Sequence, residues 1–188
     1  GIKTAPFKAQ NMSLNGGRLP GGLEISRAQI LQAEAAGIIP DPRMNPIMLK
    51  PVGDAKSVMV RMGKEVDTLS AADYYKLKEE NFKIATDAYD SLLAEYDLIV
   101  LEGAGSPAEI NLMQDDIVNM RMAAYTGACT LLIGDISRGG VFAALKGTFD
   151  LVGEYQKYIH GFIINKFRGD RAILEPGLKM LEDMTSRE

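Results

Sequence analysis

Leu98-Ile99-Val100-Leu101-Glu102-Gly103-Ala104-Gly105-Ser106-Pro107 is a short apolar run that ends in a glycine turn carrying one carboxylate. A run this rich in Val, Ile and Leu reads as a strand buried on both faces. Gly103 and Gly105 let the backbone turn tightly and let another group come close. Glu102 then stands at the carboxyl end of a parallel strand, where open α/β sheets bind their ligands. A buried, unpaired carboxylate is costly. Glu102 is therefore read either as a ligand for a Mg²⁺–phosphate group or as a cap for a nearby helix N-terminus.

Working outward, the 188 residues are one domain's worth, and 46% of them are hydrophobic, enough for a core. Acids outnumber bases 25 to 21, so there is no basic footprint for nucleic acid. No apolar run approaches the roughly 20 residues of a membrane span. Gly1-Ile2-Lys3-Thr4 leads straight into a strand-like segment, so no signal peptide is expected. The one cysteine, Cys129, rules out an internal disulfide and fits a reducing cytoplasm. It opens an apolar strand and is expected to be a buried structural thiol rather than a nucleophile. A single histidine, His160, excludes a multi-histidine metal site, and since it flanks the Gly161–Ile164 strand no Ser-His triad is expected.

Thr4 to Lys8 reads as a first strand, with Pro6 placing it at an edge or end. Ala9 to Gly17 is a polar loop dense in amides, and Pro20-Gly21-Gly22 is a turn. Leu23 to Ala36 fits a helix stopped by Gly37, with Glu24, Arg27, Gln29, Gln32 and Glu34 as its largely solvated polar positions. The prolines between Ile39 and Pro46 enforce an extended path. Ile47–Lys50 and Ser57–Met62 read as a hairpin about Val52-Gly53-Asp54, and Ser70 to Tyr96 as one long helix with Ser70 as N-cap. Helices follow at Asp116–Thr126, Val141–Val152 and Arg171–Met184, the last interrupted near Pro176-Gly177. Strands at Thr130–Ile133 and Gly161–Ile164 alternate with them, which is the pattern of βαβ units on a parallel sheet.

Four strand ends carry polar clusters: Lys8-Ala9-Gln10-Asn11, Glu102 to Gly105, Asp135 to Gly140, and Asn165-Lys166. In a doubly wound sheet such ends lie along one edge. An acid for a metal, a lysine for an anion and glycine-turn amides suit phosphoryl chemistry, where positioning and charge neutralisation supply most of the rate. No Gly-x-x-x-x-Gly-Lys-Ser/Thr phosphate loop occurs.

Several blocks together resemble one family. They are Ala5-Pro6-Phe7-Lys8-Ala9-Gln10-Asn11-Met12, Arg27-Ala28-Gln29, Gln32-Ala33-Glu34-Ala35-Ala36-Gly37, Arg43-Met44-Asn45-Pro46, Leu49-Lys50-Pro51, Leu101 to Leu112, Asp135-Ile136-Ser137-Arg138-Gly139-Gly140-Val141-Phe142-Ala143 and Ile164 to Asp170. The family is that of cobyric acid synthase, a glutamine-dependent amidotransferase of cobalamin synthesis. The resemblance implies a three-layer, doubly wound, mainly parallel α/β sheet of the dethiobiotin-synthetase-like P-loop NTPase fold, the class that includes the MinD and ParA relatives. It implies that residues 1–188 are a single synthetase domain, truncated at its N-terminus. The strand and phosphate loop that normally come first are missing, and so is the C-terminal glutaminase domain. The missing strand would lie between the Leu98–Leu101 and Thr130–Ile133 strands, so ATP binding is expected to be weak or absent.

The implied reaction is ATP-dependent amidation of corrin-ring carboxylates through an acyl phosphate, with ammonia from glutamine. By the same resemblance Glu102 and Glu34 would hold Mg²⁺. Asn165 would read the nucleotide base, with Gln10 and Asn11 also at the cofactor. Lys8, Asp135 and Arg138 would serve the reacting groups, with Asn111 and Arg43 as weaker candidates. The implied partners are a corrinoid substrate and a glutaminase domain, in the cytoplasm. Neither nucleic acid nor membrane is expected, and a homo-oligomer is allowed. The a,c-diamide synthase, dethiobiotin synthetase and a non-catalytic partitioning or scaffold ATPase are the competing readings. The Arg27-Ala28-Gln29 and Ser106 to Leu112 blocks favour cobyric acid synthase over the first two.

Overall fold

The computed structural model describes every residue except Asp54, Gln114 and Asp115, and every side chain among the rest except that of Ala71. The turn expected at Asp54 therefore lies partly outside the described residues. The chain forms two compact units, residues 1–105 with 115–122, and residues 106–114 with 123–188.

In the first unit, β1 (Thr4–Phe7) and β8 (Leu98–Leu101) pair in parallel, with Phe7 opposite Leu101. Lys8 and Glu102 leave the two strands at the same end, and the Glu102 N–H donates to the Phe7 carbonyl at 2.9 Å. Among the described residues β1 has a strand neighbour on one side only, which is where Pro6 is tolerated. Helix α1 (Arg27–Ala35) and helix α3 (Lys78–Leu93) bury the pair. Asn81, Ala85, Ala88, Tyr89 and Leu92 recur at threes and fours and put one face of α3 inside. There Tyr89 meets Phe7 edge to face, ring centroids 5.6 Å apart, beside Ala33, Met44, Ile99 and Met122.

A four-stranded sheet departs from the sequence reading. Gln10–Met12 (β2) is a strand rather than loop, paired in parallel with β5 (Ile47–Gly53). Behind it β6 (Lys56–Arg61) and β7 (Lys64–Ser70) continue as an antiparallel meander. Gly16–Arg18 (β3) and Glu24–Ser26 (β4) form a separate antiparallel pair. Three-residue strands exist only through their partners, so local pattern does not show them. Helix α1 accordingly starts at Arg27, four residues later than expected, and stops at the left-handed Gly37. The long helix is two, α2 (Ala71–Lys76) and α3, broken at Leu77, where ψ is 3°. Ser70 caps α2 as expected, accepting from the Asp73 N–H.

In the second unit, β9 (Thr130–Asp135) and β10 (Ile159–Asn165) pair in parallel and bring Asp135 opposite Asn165. Helix α5 (Val141–Leu151) buries Val141, Leu145 and Phe149, one residue per turn. Helix α6 (Arg171–Thr185) runs through Pro176 without the expected interruption. Gly177 lies against the Phe142 ring, which keeps α5 and α6 close. Helix α4 (Met120–Thr126), four residues shorter at its start than expected, includes residues of both units.

The fold is thus α/β. Parallel pairing joins β1 to β8, β2 to β5 and β9 to β10, and among the described residues antiparallel pairing is confined to the meander and the β3–β4 pair. Two burial expectations fail. Strand β8 is not buried on both faces, since Ile99 is 8% exposed while Leu98 and Val100 are about half exposed, the alternation of a strand covered on one side. Cys129 is exposed rather than a buried thiol, because it lies just before β9 and not within it. Among the described residues no helix is long and apolar enough to cross a membrane.

Candidate functional site

The β1–β8 register predicts that Lys8 and Glu102 meet, and they do. The Lys8 ammonium donates to Glu102 Oε1 at 2.9 Å, on a lysine that is 8% exposed. A lysine that deep is not a solvated surface residue; it is placed for its charge. The second oxygen, Oε2, accepts from Gln32 Nε2 at 2.7 Å and from Gln29 Nε2 at 3.5 Å. Burial alone would raise the Glu102 pKa, but the Gln32 and Lys8 hydrogen bonds outweigh it and hold the carboxyl below its ordinary value.

Gln29 is one of five polar helix positions of which most were expected to be solvated and a few to face a site, and it is fully buried. It donates to Gln32 Oε1 at 2.9 Å, and its own Oε1 accepts from the Ser26 hydroxyl at 2.7 Å. Ser26 is the N-cap of α1, accepting from the Gln29 N–H at 3.3 Å. The Ser26 N–H donates to Asn45 Oδ1 at 3.1 Å, and Asn45 Nδ2 donates to the carbonyls of Lys8 and Ile47 at 3.1 and 2.9 Å. The hydrogen bonds therefore close a ring: Lys8, Glu102, Gln32, Gln29, Ser26, Asn45 and back to Lys8. Ser26 and Gln29 stand three apart as in a capping box, the one sequence signal that could have found this face of α1.

The turn after Glu102 is fastened by Asn119. Its Oδ1 accepts from the Ala104 N–H at 3.0 Å and its Nδ2 donates to the Ala104 carbonyl at 2.9 Å. A Cβ on Gly103 would lie 2.3 Å from Asn119 Oδ1, so the close approach that this glycine permits is that of Asn119. Gly105 carries the left-handed turn at φ +62°.

Other candidates of the first unit stand outside this ring of hydrogen bonds. Glu34 is exposed, two residues beyond Gln32 and so about 200° round α1, and it shares no hydrogen bond with Glu102 among the described residues. Gln10 Oε1 accepts a short hydrogen bond from the Tyr74 hydroxyl, whose pKa burial pushes up. Asn11 is half-buried in β2. Arg43 is engaged by Asp41 and Glu95, which hold its guanidinium charged, and Asn111 lies exposed in a turn.

The second unit holds its own cluster. Lys166 Nζ donates to Asp135 Oδ2 at 2.7 Å, and Ser137 donates to Oδ1 from N–H and hydroxyl at 2.9 and 2.5 Å. Lys166, then Ser137, hold the Asp135 carboxyl well below its ordinary pKa. Asn165 is exposed, its Oδ1 taken by the Lys166 N–H at 2.8 Å in the turn that follows β10. Arg138 is exposed at the end of the helical turn Ile136–Arg138, before Gly139 and Gly140.

Among the described residues no three His, Cys, Asp or Glu side chains gather as a metal cage. Glu102 alone, half exposed, suits a Mg²⁺ ion held by one carboxylate, water and phosphate oxygens, the way that ion is commonly bound.

No family model matches the chain, and no solved structure matches it. Curated proteins do. A protein named cobyric acid synthase from Desulforudis audaxviator is 53% identical over 188 residues, all of this chain and 38% of that protein. One of the same name from Yersinia enterocolitica is 54% identical over 187 residues, 99% of the chain and 36% of that protein. A third, from Caldanaerobacter subterraneus, is 52% identical over 189 residues and is covered to 37%. The chain thus spans well under half the length of the curated relatives it matches. Identity above one half thus runs along all of this chain, over the segment it shares with proteins named cobyric acid synthase.

Proposed function

We propose that this chain is the synthetase part of a cobyric acid synthase of cobalamin biosynthesis, with residues 1–188 working as one synthetase domain of P-loop NTPase type. Its reaction is ATP-dependent amidation of corrin-ring carboxylates. A substrate carboxylate takes the γ-phosphoryl group of ATP, ammonia from a glutaminase domain attacks the acyl carbon, and phosphate departs. A carboxylate is a poor electrophile, and phosphorylation supplies the leaving group.

The observation that carries this reading is the Lys8–Glu102 pair at the carboxyl ends of two parallel strands. Mg²⁺, when bound, neutralises charge on the phosphoryl group in transfer. Glu102 would hold it with one oxygen. Lys8, released from that oxygen, would then face an anionic phosphate or carboxylate within reach of the same strand ends. Asp135, Lys166 and Arg138 offer a second polar turn, and Asn165 the edge that reads a base. The exposed Leu98 and Val100, on a strand with one neighbour, suit a domain whose sheet includes a further strand.

The test joins this chain to an upstream strand–phosphate-loop–helix unit and to a glutaminase domain, and measures glutamine-dependent amidation of a corrinoid a,c-diamide. Glu102→Gln should cut kcat at least a hundredfold; full activity in that variant would remove Glu102 from the metal role. Calorimetry on the 188 residues alone should show weak or no ATP binding, and tight binding would overturn the assignment of the phosphate site to an upstream unit.

A further inference from the structure

We infer that Gln32, braced by Gln29, is a positioning residue that clamps Oε2 of Glu102 so that Oε1 is the oxygen offered to a cation. The inference rests on the proposed role of Glu102 and adds to it the residues that aim the carboxylate.

Three observations carry it. First, the two glutamines are three apart on α1 and therefore share a face, and both amide nitrogens point at the same carboxylate oxygen. Second, the amide of Gln29 cannot turn over. The Ser26 hydroxyl accepts from the Gln29 N–H, so its own proton goes to Gln29 Oε1, leaving Nε2 toward Gln32 and Glu102. Third, this polar chain is buried where an apolar side chain would pack more cheaply, since Gln29 and Ser26 are both fully enclosed.

What the chain of amides leaves available is Oε1, and there the Lys8 ammonium sits at 2.9 Å. A cation already occupies that position, and a divalent ion would replace it while the glutamines keep their hold. Outer partners of this kind fix the orientation of a ligand and commonly change metal affinity by about ten- to a hundredfold when removed.

The test uses Mn²⁺ alone as the probe on the isotopically labelled chain. In the unaltered chain Mn²⁺ should broaden the amide resonances of Glu102 and Gly103 first, and three-bond couplings should report a single χ1 for Glu102. Gln32→Met, which keeps the length and loses the donors at a partly exposed position, should raise the Mn²⁺ concentration for half-broadening about tenfold and let χ1 average. Gln29→Met, with its fold checked by the amide spectrum, should act in the same direction. Unchanged half-broadening and an unchanged single χ1 in Gln32→Met would overturn the clamp. If Mn²⁺ fails to broaden Glu102 even in the unaltered chain, the metal role of Glu102 falls and the proposal with it, whatever χ1 does.

Discussion

Asn45→Ala should cost far more than a typical polar substitution. Asn45 is 2% exposed and makes three hydrogen bonds, at 3.1, 3.1 and 2.9 Å, to backbone groups of Ser26, Lys8 and Ile47. At about 1 kcal/mol net each the loss is about 3 kcal/mol, and leaving buried partners unpaired carries it toward about 5 kcal/mol. For a chain of this length that is a fall in Tm of about 6–20 °C. Urea unfolding followed by circular dichroism gives the overall change. Hydrogen exchange at the Phe7 and Ile99 amides reads it within the first unit, where both residues are core. Asn45→Asp sharpens the test. Its carboxylate still accepts from the Ser26 N–H but turns its other oxygen on two carbonyls. At neutral pH it should be worse than alanine, and on acidification, as it gains an O–H donor, the gap should close. A loss below about 1 kcal/mol for Asn45→Ala would refute the claim that these bonds hold the rim together.

Other outcomes follow from the same geometry. Acid should weaken the first unit through Glu102: its folded pKa lies below the ordinary 4.5, so its stabilising contribution is complete above that value and is lost as pH falls beneath it. Tm measured from pH 7 to 3 should show this loss, and Lys8→Met should shrink it. Ser26→Ala removes both the cap of α1 and the hydroxyl on Gln29 and should cost about 1–2 kcal/mol in chemical denaturation. Gly134→Val should destabilise the second unit by about 1–3 kcal/mol by calorimetry, because even a Cβ there lies 2.6 Å from Val141 Cγ2 and 3.1 Å from Leu145 Cγ, both buried; an unchanged transition would show that α5 can yield.

The parts legible in the sequence were those written in local pattern. The apolar runs of β1, β8, β9 and β10, the stripe of α3 and the Ser70 cap needed only neighbours a few residues away. Lys8 and Glu102 were found because residues that end parallel strands share a rim. What escaped depends on partners far along the chain. The strand Gln10–Met12 exists through Ile47–Leu49, 37 residues on, and reads locally as loop. Gln29 escaped for a related reason: a glutamine on an amphipathic-looking helix is ordinarily wet, and only the return of the chain at Asn45 and Glu102 encloses it. Placing the helix start at Leu23 also hid the box formed by Ser26 and Gln29. Pro176 misled in the other direction, since a proline that usually breaks a helix is carried inside α6.

Because the contacts from Lys8 through Asn45 close on themselves, no member can be judged alone. Damage at any link is felt by the rest, so paired substitutions inside the circuit should cost less together than their separate losses add up to. Such a circuit behaves as a single inherited character: it is kept whole or exchanged whole, and a chimera that takes α1 from one homologue and the Glu102 turn from another will work only where both donors speak the same polar dialect.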